Sequence, residues 1–221
     1  MNTLEAIKAR RSTRAFLDKP VPRELVHSIL DTARWAPSGV NTQPWQVAVI
    51  TGETKRRIGD AIIAAREAGT PESPDYAYYP ERWDEPYKSR RKACGLALYQ
   101  ALGIGRDDQE ARKAAWYRNY HFFGAPVGLL FFLDARLSKG SWLDMGMFLQ
   151  NVMLAAHAHG LATCPQAALA EYPGIVREIL GVPADKLLVC GVALGYEDPA
   201  APINGYRTER EPVEAFTTWH D

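Results

Sequence analysis

Three arginines and a serine lie within one short stretch near the N-terminus, Arg10-Arg11-Ser12-Thr13-Arg14, directly after a predicted helix. A guanidinium group binds phosphate through two parallel hydrogen bonds and a serine hydroxyl adds a further donor, so this stretch has the chemistry of a dianion site. Cations at the C-terminal end of a helix also complement the helix dipole. The stretch alone leaves anion binding and a solvated charged surface equally open.

A second candidate is the loop Ala36-Pro-Ser-Gly-Val-Asn-Thr-Gln-Pro-Trp45, between a predicted helix and a predicted strand. Asn41 and Gln43 each offer a donor and an acceptor, which match the polar edge of a heterocycle such as a flavin or a pyrimidine. Proline, serine, glycine and asparagine are also the residues that ordinary turns use. From composition alone a plain turn is the favoured interpretation.

The two motifs together resemble the nitroreductase family of FMN-dependent oxidoreductases, and they occur in that family's order. Three later segments share the resemblance: Thr163–Ala168, Gly191–Tyr196, and Asn204–Arg210 followed by Glu-Pro. The resemblance covers nearly the whole chain. It implies an α+β fold with a central, mostly antiparallel sheet flanked by helices, and a C-terminal tail that is exchanged across a homodimer.

The resemblance also implies that FMN lies in the subunit interface and is held by residues of both chains. Arg10, Ser12 and Arg210 match the phosphate ligands, with Arg11 beside them. Arg14 matches the cation next to flavin N1 and O2, where a fixed positive charge favours hydride acceptance.

Two further groups of cofactor-binding residues follow from the same resemblance. The loop that reaches FMN from the other subunit contains Pro37, Ser38, Asn41 and Gln43. The segment whose backbone approaches flavin N5 and O4 contains Pro165, Gln166, Ala167 and Ala168. This chain has Gln-Ala-Ala where many relatives carry a glycine.

The activity implied is hydride transfer from NADH or NADPH, through flavin N5, to a nitroaromatic or quinone-like acceptor in a ping-pong cycle. The chain has no Gly-x-Ser-x-Gly, no HExxH and no GxGxxG after a strand, which fits chemistry carried by the flavin itself. A flavin dehydrogenase or reductive dehalogenase of the same fold, or a non-catalytic flavin-binding protein, would keep the same motifs.

Residues 69–91 contain four prolines and several aromatic residues without a sustained period. We expect an insertion that forms a lid, with Tyr79, Trp83 and Tyr87 over a small aromatic substrate; sealing a dimer is the alternative. The basic residues around it suit either an anionic substituent or a solvated face. They are Arg82, Lys88, Arg90 and Arg91.

The histidines and cysteines of the sequence do not predict a metal site or a catalytic nucleophile. His157 and His159 are two positions apart on a predicted helix and so lie on different faces, which favours structural roles. Cys164 is interpreted as a buried packing residue. Three cysteines without a CxxC pair favour a reducing compartment, hence the cytoplasm, and no structural disulfide.

Composition limits the possible partners. The 221 residues include 26 Lys and Arg against 26 Asp and Glu, so no overall charge draws the chain to nucleic acid or to an anionic membrane. The longest apolar runs, 127–133 and 187–194, are far shorter than the roughly 20 residues that a membrane helix needs. We expect one domain over 1–221.

The site residues must be positioned by a mixed set of elements. Apolar periodicity predicts helices over 3–10, 22–33, 55–67, 92–102, 108–119 and 172–180, with one more that is capped by Ser141–Asp144 and ends at His159. Strands are predicted at 46–50, 127–133 and 187–194. The helix ending at His159 is apolar nearly all round, which predicts a central position or a subunit contact. The tail, 197–221, is expected to embrace a partner.

Overall fold

The centre of the protein is a four-stranded antiparallel sheet, in a computed structural model that describes residues 2–220. The strands are β1 (Gln46–Thr51), β2 (Val127–Asp134), β3 (Ala162–Gln166) and β4 (Lys186–Gly195), in the order β1-β2-β4-β3. The helices are α1 (Thr3–Ala9), α2 (Arg23–Ala33), α3 (Gly52–Glu67), α4 (Tyr87–Ala101), α5 (Gln109–Tyr117), α6 (Lys139–Ala158) and α7 (Pro173–Leu180). The predicted α+β class is confirmed.

The two central strands are buried on both faces, as their continuous apolar sequences predict. Every residue of β2 is buried, and β4 is buried from Leu188 onward. One face of the sheet packs against α2 and α6, and the other packs against α3 and α7. Fully burying each large apolar side chain in such a core contributes about 1.5–3 kcal/mol, which holds the sheet rigid beneath the site.

Gly128 gives a direct test of this packing, because its neighbours leave no room for a side chain. A Cβ at this position would lie 2.6 Å from Phe122 Cε1, and that phenyl ring is fully buried. We expect Gly128→Ala to lower the free energy of unfolding by about 1–3 kcal/mol, measured by urea denaturation. Gly174→Ala is the matched control, because Gly174 is exposed in α7 with open space around it; an equal loss in both variants would contradict the packing argument.

Helix α3 begins at Gly52, three residues before the predicted start at 55, and two further predicted helix starts are wrong. Helix α6 begins at Lys139 with Ser138 as its N-cap residue, and not at Ser141–Asp144. Helix α4 begins at Tyr87, five residues before the predicted start at 92. In both cases the first helical residues are polar or exposed, so they lack the apolar spacing on which the prediction relied. The irregular part of the predicted lid segment therefore ends at Pro86.

Strand β3 was not predicted from the sequence. It is only five residues long and includes Pro165, which periodicity rules treat as a strand breaker. The strand lies at the edge of the sheet, and β4 is its only partner strand among the described residues, so a proline that cannot donate a hydrogen bond is tolerated. Its outer edge is where the candidate site is built.

Within residues 2–220, no helix has both the length and the apolar character needed to cross a bilayer.

Candidate functional site

The arginine segment, residues 10–14, lies along the outer edge of β3. Ser12 forms an isolated parallel bridge with Thr163, and the Thr13 N–H donates to the Thr163 carbonyl at 2.9 Å. An edge strand has backbone groups free for such pairing. The contact brings together two motifs that are about 150 residues apart in the chain, the arginine segment and Thr163–Ala168.

The C-terminal tail fixes the backbone of Arg14. The buried side chain of Asn204 accepts a hydrogen bond from the Arg14 N–H through Oδ1 and donates through Nδ2 to the Ala15 carbonyl, both at 2.9 Å. Arg118 donates to the Arg14 carbonyl at 3.0 Å. The Arg14 guanidinium itself lies 6.0 Å from the centroid of the Phe123 ring. Its Nη1 also donates to the Ser12 carbonyl and to the Tyr206 hydroxyl, both at 3.4 Å, so backbone contacts, Tyr206 and an aromatic face set its position.

Arg207 joins the tail to the end of α1. Its Nη2 donates to the carbonyls of Lys8 and Ala9 at 2.6 and 2.9 Å. These belong to the last turn of α1, whose carbonyls have no partner within the helix. The contact carries Arg210, three residues further along the tail, towards the arginine segment.

Arginines of the segment and of the tail surround one cavity of about 180 Å³, which we call the arginine cavity. Five arginines line this cavity: Arg10, Arg11, Arg14, Arg207 and Arg210. Among residues 2–220, only Arg11 of these five has an ion pair, which it forms with Glu197. Burial, followed by the charges of Arg210 and Arg207, lowers the pKa of Arg10. The lining residues are Arg10, Arg11, Ser12, Arg14, Cys94, Tyr206, Arg207, Thr208 and Arg210. Such concentrated, unneutralised positive charge favours a bound dianion.

Arg14 also lines a neighbouring cavity of about 200 Å³, the aromatic cavity, whose other walls include Tyr79, Trp116 and Phe123. The end of β3 and the turn after it, Pro165–Ala168, form a further wall.

The side chain of Gln166 is buried at the wall of the aromatic cavity. Its Nε2 donates to the Asn119 carbonyl at 2.7 Å, while its Oε1 has no hydrogen-bond partner in the described part of the chain. Ala167 and Ala168 begin a short 3₁₀ helix, so their N–H groups have no partner within it. These polar groups suit the edge of a flat heterocycle.

The two cavities share Arg14. A ligand with a dianionic group at one end and a planar aromatic ring at the other could therefore extend through both, with Arg14 between its two parts. The partly buried charge of Arg14, placed between a dianion site and a ring, would act on both.

The loop predicted to contact a ligand, residues 36–45, lines neither of these cavities. It is held against α6, where the Gly39 N–H donates to Asp144 Oδ1 at 3.2 Å. The Gln43 N–H donates to Ser38 Oγ at 3.0 Å, which closes the loop on itself. Within one chain, Pro37, Ser38, Asn41 and Gln43 are not brought to the arginines.

The same loop has an unusual backbone. Val40, Asn41 and Gln43 have φ values of +46°, +59° and +48°, a region that a β-branched residue such as valine rarely adopts. The Val40 side chain is 97% exposed, so no packing in this chain offsets the strain. Backbone strain of about 1–3 kcal/mol is typical of ligand-binding and switch segments.

The lid aromatics lie at different distances from the cavities. Tyr79 lines the aromatic cavity. The centroid of the Trp83 ring lies 5.6 Å from the centroid of the Tyr79 ring. Tyr87 is the first residue of α4 and is exposed, with the Arg90 guanidinium 5.7 Å from its ring. Only Tyr79 of these three side chains lines a described cavity.

The basic residues near the lid belong to the surface. Arg82 pairs with Asp84 at 3.2 Å, and Arg90 pairs with Glu211 at 2.9 Å. The arginines that line the aromatic cavity are instead Arg14 and Arg118. The solvated-face interpretation of the basic residues at 82–91 is therefore favoured.

The other sequence candidates have structural roles. Burial raises the pKa of the Cys164 thiol, which makes it a poor nucleophile and supports the packing interpretation. Cys94, Cys164 and Cys190 are all free. Among the described residues, no cluster of histidine, cysteine and carboxylate side chains could hold a metal ion.

Three residues that position the arginines of the site were not singled out in the sequence analysis: Asn204, Arg207 and Arg118. The first two lie in the segment Asn204–Arg210, whose resemblance to the family was the available signal. No pattern around Arg118 indicates its contact with the Arg14 carbonyl, because the two residues are brought together only by the tertiary fold.

The fold and site define a class of protein: a helix-flanked antiparallel sheet with a site suited to a phosphorylated planar heterocycle. The sequence profile described as the nitroreductase family matches residues 7–196, and the chain belongs to this family. The predicted family is confirmed.

Named relatives match over nearly their full length. The chain is 39% identical over 211 residues to a 4-nitrobenzoate reductase of Pseudomonas putida, covering 96% of this chain and 92% of the relative. It is 42% identical over 217 residues to a chloronitrobenzene nitroreductase of Comamonas testosteroni, covering 97% and 95%. The crystal structure of the FMN- and NADPH-dependent nitroreductase NfnB from a Sphingopyxis strain (HMH) superposes with a TM-score of 0.97, at 42% identity and full coverage of both chains.

Proposed function

We propose that this protein is an FMN-dependent nitroreductase that passes hydride from NADH or NADPH, through the flavin, to a nitroaromatic or quinone-like acceptor in a ping-pong cycle. The observation that carries the proposal is the junction at Arg14 of the arginine cavity and the aromatic cavity. The nitroaromatic substrates in the names of the relatives, and FMN and NADPH in that of the solved NfnB structure, support it.

The arginine cavity fits the phosphate of FMN. Arg10, Arg207 and Arg210 have no carboxylate partner among residues 2–220, and Ser12 adds a hydroxyl donor. A phosphate dianion would neutralise this charge through charge-assisted hydrogen bonds. Arg11 lies beside them, but its pairing with Glu197 leaves it a smaller share of this role.

The aromatic cavity fits the isoalloxazine ring. Pro165, Gln166, Ala167 and Ala168 would line the N5 and O4 edge, and Arg14 would place its charge near N1 and O2. Bound FMN supplies the hydride acceptor and donor. The chain binds and orients the ring, and it provides a fixed positive charge at the edge where reduction adds negative charge.

Cofactor identity and steady-state turnover test this function together. We expect released flavin to be FMN by chromatography and mass, and NADH or NADPH oxidation to depend on added 4-nitrobenzoate. Double-reciprocal plots at several acceptor concentrations should give parallel lines, since the donor leaves before the acceptor binds. Protein without FMN, or with FMN but no acceptor-dependent oxidation, would overturn the proposal.

Tyr79 is the lid residue that we assign to substrate contact, because it lines the aromatic cavity, where the acceptor must stack on the flavin ring to receive hydride. Aromatic pairs contribute about 0.5–1.5 kcal/mol beyond the area they bury, so we expect Tyr79→Ala to raise KM for 4-nitrobenzoate about two- to tenfold. Initial rates at saturating NADPH measure this. Tyr79→Phe keeps the ring and should keep KM near its original value; an equal rise in both variants would point to the hydroxyl and contradict stacking.

We further propose a homodimer in which loop 36–45 and the tail of each subunit reach the other. Large apolar side chains are exposed on α6 and in the tail: Leu143 is 73% exposed, Phe216 71% and Trp219 84%. Apolar surface of this extent favours association. The strained loop, with Val40 directed outwards, would complete the partner's flavin site through Asn41 and Gln43.

Removing the end of the tail should weaken the dimer. A variant ending at Pro212 loses Phe216 and Trp219 but keeps Arg207 and Arg210, so the phosphate ligands stay. We expect sedimentation velocity to show a dimer for the full chain and a shift to monomer for the shortened chain at micromolar concentrations. A monomeric full chain, or an unchanged dimer after truncation, would contradict the exchanged tail.

The proposed setting is the cytoplasm, whose reducing conditions suit the free thiols of Cys94, Cys164 and Cys190.

A further inference from the structure

A small cavity of about 30 Å³ lies behind the arginine segment and is separate from the two cavities assigned to FMN. We call it the back cavity. Its walls come from the end of α6, through His157, from β3, through Thr163, and from the arginine segment and Glu197. Arg10 and Arg11 line both the back cavity and the arginine cavity, so they form the wall between the two.

Unpaired polar atoms are concentrated around the back cavity. Four buried side-chain atoms of its lining residues have no hydrogen-bond partner within residues 2–220: Arg10 Nε, Arg11 Nε, His157 Nε2 and Thr163 Oγ1. Thr163 is only 2% exposed, so bulk water does not reach it. Buried polar groups are nearly always paired with protein or with ordered water.

The balance of donors and acceptors matches one water molecule. The two arginine Nε–H groups can only donate, and a water oxygen accepts two hydrogen bonds. The two water hydrogens then remain for an imidazole nitrogen and a threonine hydroxyl oxygen. A volume of about 30 Å³ exceeds the roughly 10–15 Å³ that a single water requires.

The state of His157 favours water over a halide ion. Burial, followed by the charges of Arg10 and Arg11, lowers the pKa of His157, which favours the neutral ring. With the ring proton on Nδ1, Nε2 accepts a hydrogen bond. A halide can accept from the arginines and from the Thr163 hydroxyl, but it has no hydrogen to donate to His157.

We propose that one ordered water in the back cavity links Arg10 and Arg11 to His157 and Thr163, and that His157 and Thr163 are positioning residues for the phosphate site. Held at Nε from behind, the Arg10 guanidinium keeps Nη2 for the arginine cavity, while Nη1 contacts Met153 Sδ at 3.9 Å. The effect on FMN rests on the proposed function, whereas the water itself does not.

A crystal structure of the purified protein at about 1.5 Å or better tests the water directly. We expect one spherical density peak in the back cavity within hydrogen-bond distance of the four atoms, roughly 2.7–3.2 Å. A crystal soaked in sodium bromide should show no anomalous peak there. An empty cavity, a side chain filling it, or a bromide peak would overturn the proposal.

Affinity measurements test the positioning role. We expect His157→Leu and Thr163→Val to raise the Kd for FMN about fivefold to tenfold, because the water loses a hydrogen-bond partner. The Kd for riboflavin, which lacks the phosphate, should change less than about twofold. His157→Gln restores an acceptor and should recover most of the FMN affinity, and His159→Leu, in the exposed neighbour, should leave it unchanged.

These results separate the possible failures. Equal loss of FMN and riboflavin affinity would show a general structural role and contradict positioning of the phosphate site. Unchanged FMN affinity in both His157→Leu and Thr163→Val would also contradict the positioning role. If the unmodified protein fails to bind FMN at all, the proposed function fails, while the density in the back cavity still decides the water.

Discussion

Arg10→Ala is expected to weaken FMN binding about 10- to 100-fold. The Arg10 guanidinium lines the arginine cavity and has no ion pair in the described part of the chain. Burial, followed by the charges of Arg210 and Arg207, lowers its pKa. Removing a charged hydrogen-bond donor from a phosphate typically costs about 1.5–3 kcal/mol. Quenching of flavin fluorescence during titration of the flavin-free protein measures the Kd.

Controls for Arg10→Ala come from other positions in the chain. Arg210→Ala should act in the same direction, and riboflavin should bind both variants about as well as it binds the original protein. Arg34→Ala should have no effect, because Arg34 is an exposed residue paired with Asp31 at 2.7 Å. Unchanged FMN affinity in both Arg10→Ala and Arg210→Ala would remove the arginine cavity from the phosphate site.

Arg14→Ala is expected to slow flavin reduction by NADH or NADPH about 100-fold, while FMN affinity falls less than about tenfold. Arg14 is the residue shared by the two cavities, and its backbone is fixed by Asn204 and Arg118. A preorganised donor at a site of developing negative charge contributes a factor of about 10²–10³ to the rate. Stopped-flow absorbance at the flavin band, in protein fully loaded with FMN, measures the reduction rate.

Arg14→Lys is the matched variant, since it keeps the positive charge without the planar guanidinium. It should recover a large part of the reduction rate. Equal reduction rates in Arg14→Ala and the original protein would refute the assigned role. A loss of FMN as large as that in Arg10→Ala would instead assign Arg14 to the phosphate ligands.

Sequence patterns predicted the elements that carry strong periodicity. Helix α2 and strands β2 and β4 lie where apolar spacing placed them, because burial against the sheet imposes that spacing on the sequence. The arginine segment and Arg210 were predicted to act together, and they line one cavity. Arg210 was assigned to this site only through the resemblance to the nitroreductase family.

Features that depend on long-range contacts were not predictable in the same way. Strand β3 contains Pro165, which is tolerated only because the strand lies at the edge of the sheet. The sequence does not show that edge position. Asn204 and Arg207 reach the N-terminal segment across about 190 residues of sequence, so no local pattern marks their contacts. The polar atoms of the back cavity are likewise assembled from α6, β3 and the arginine segment, and His157 was assigned only a general structural role.

An anaerobic absorbance titration tests the central claim most directly: that the site holds FMN and passes electrons from a nicotinamide to a nitro compound. The purified protein is titrated with NADPH and, separately, with NADH, and 4-nitrobenzoate is then added. We expect the flavin absorbance to bleach with at least one nicotinamide and to recover fully with the nitro compound. Flavin that neither nicotinamide bleaches, or bleached flavin that the nitro compound does not reoxidise, would contradict the account.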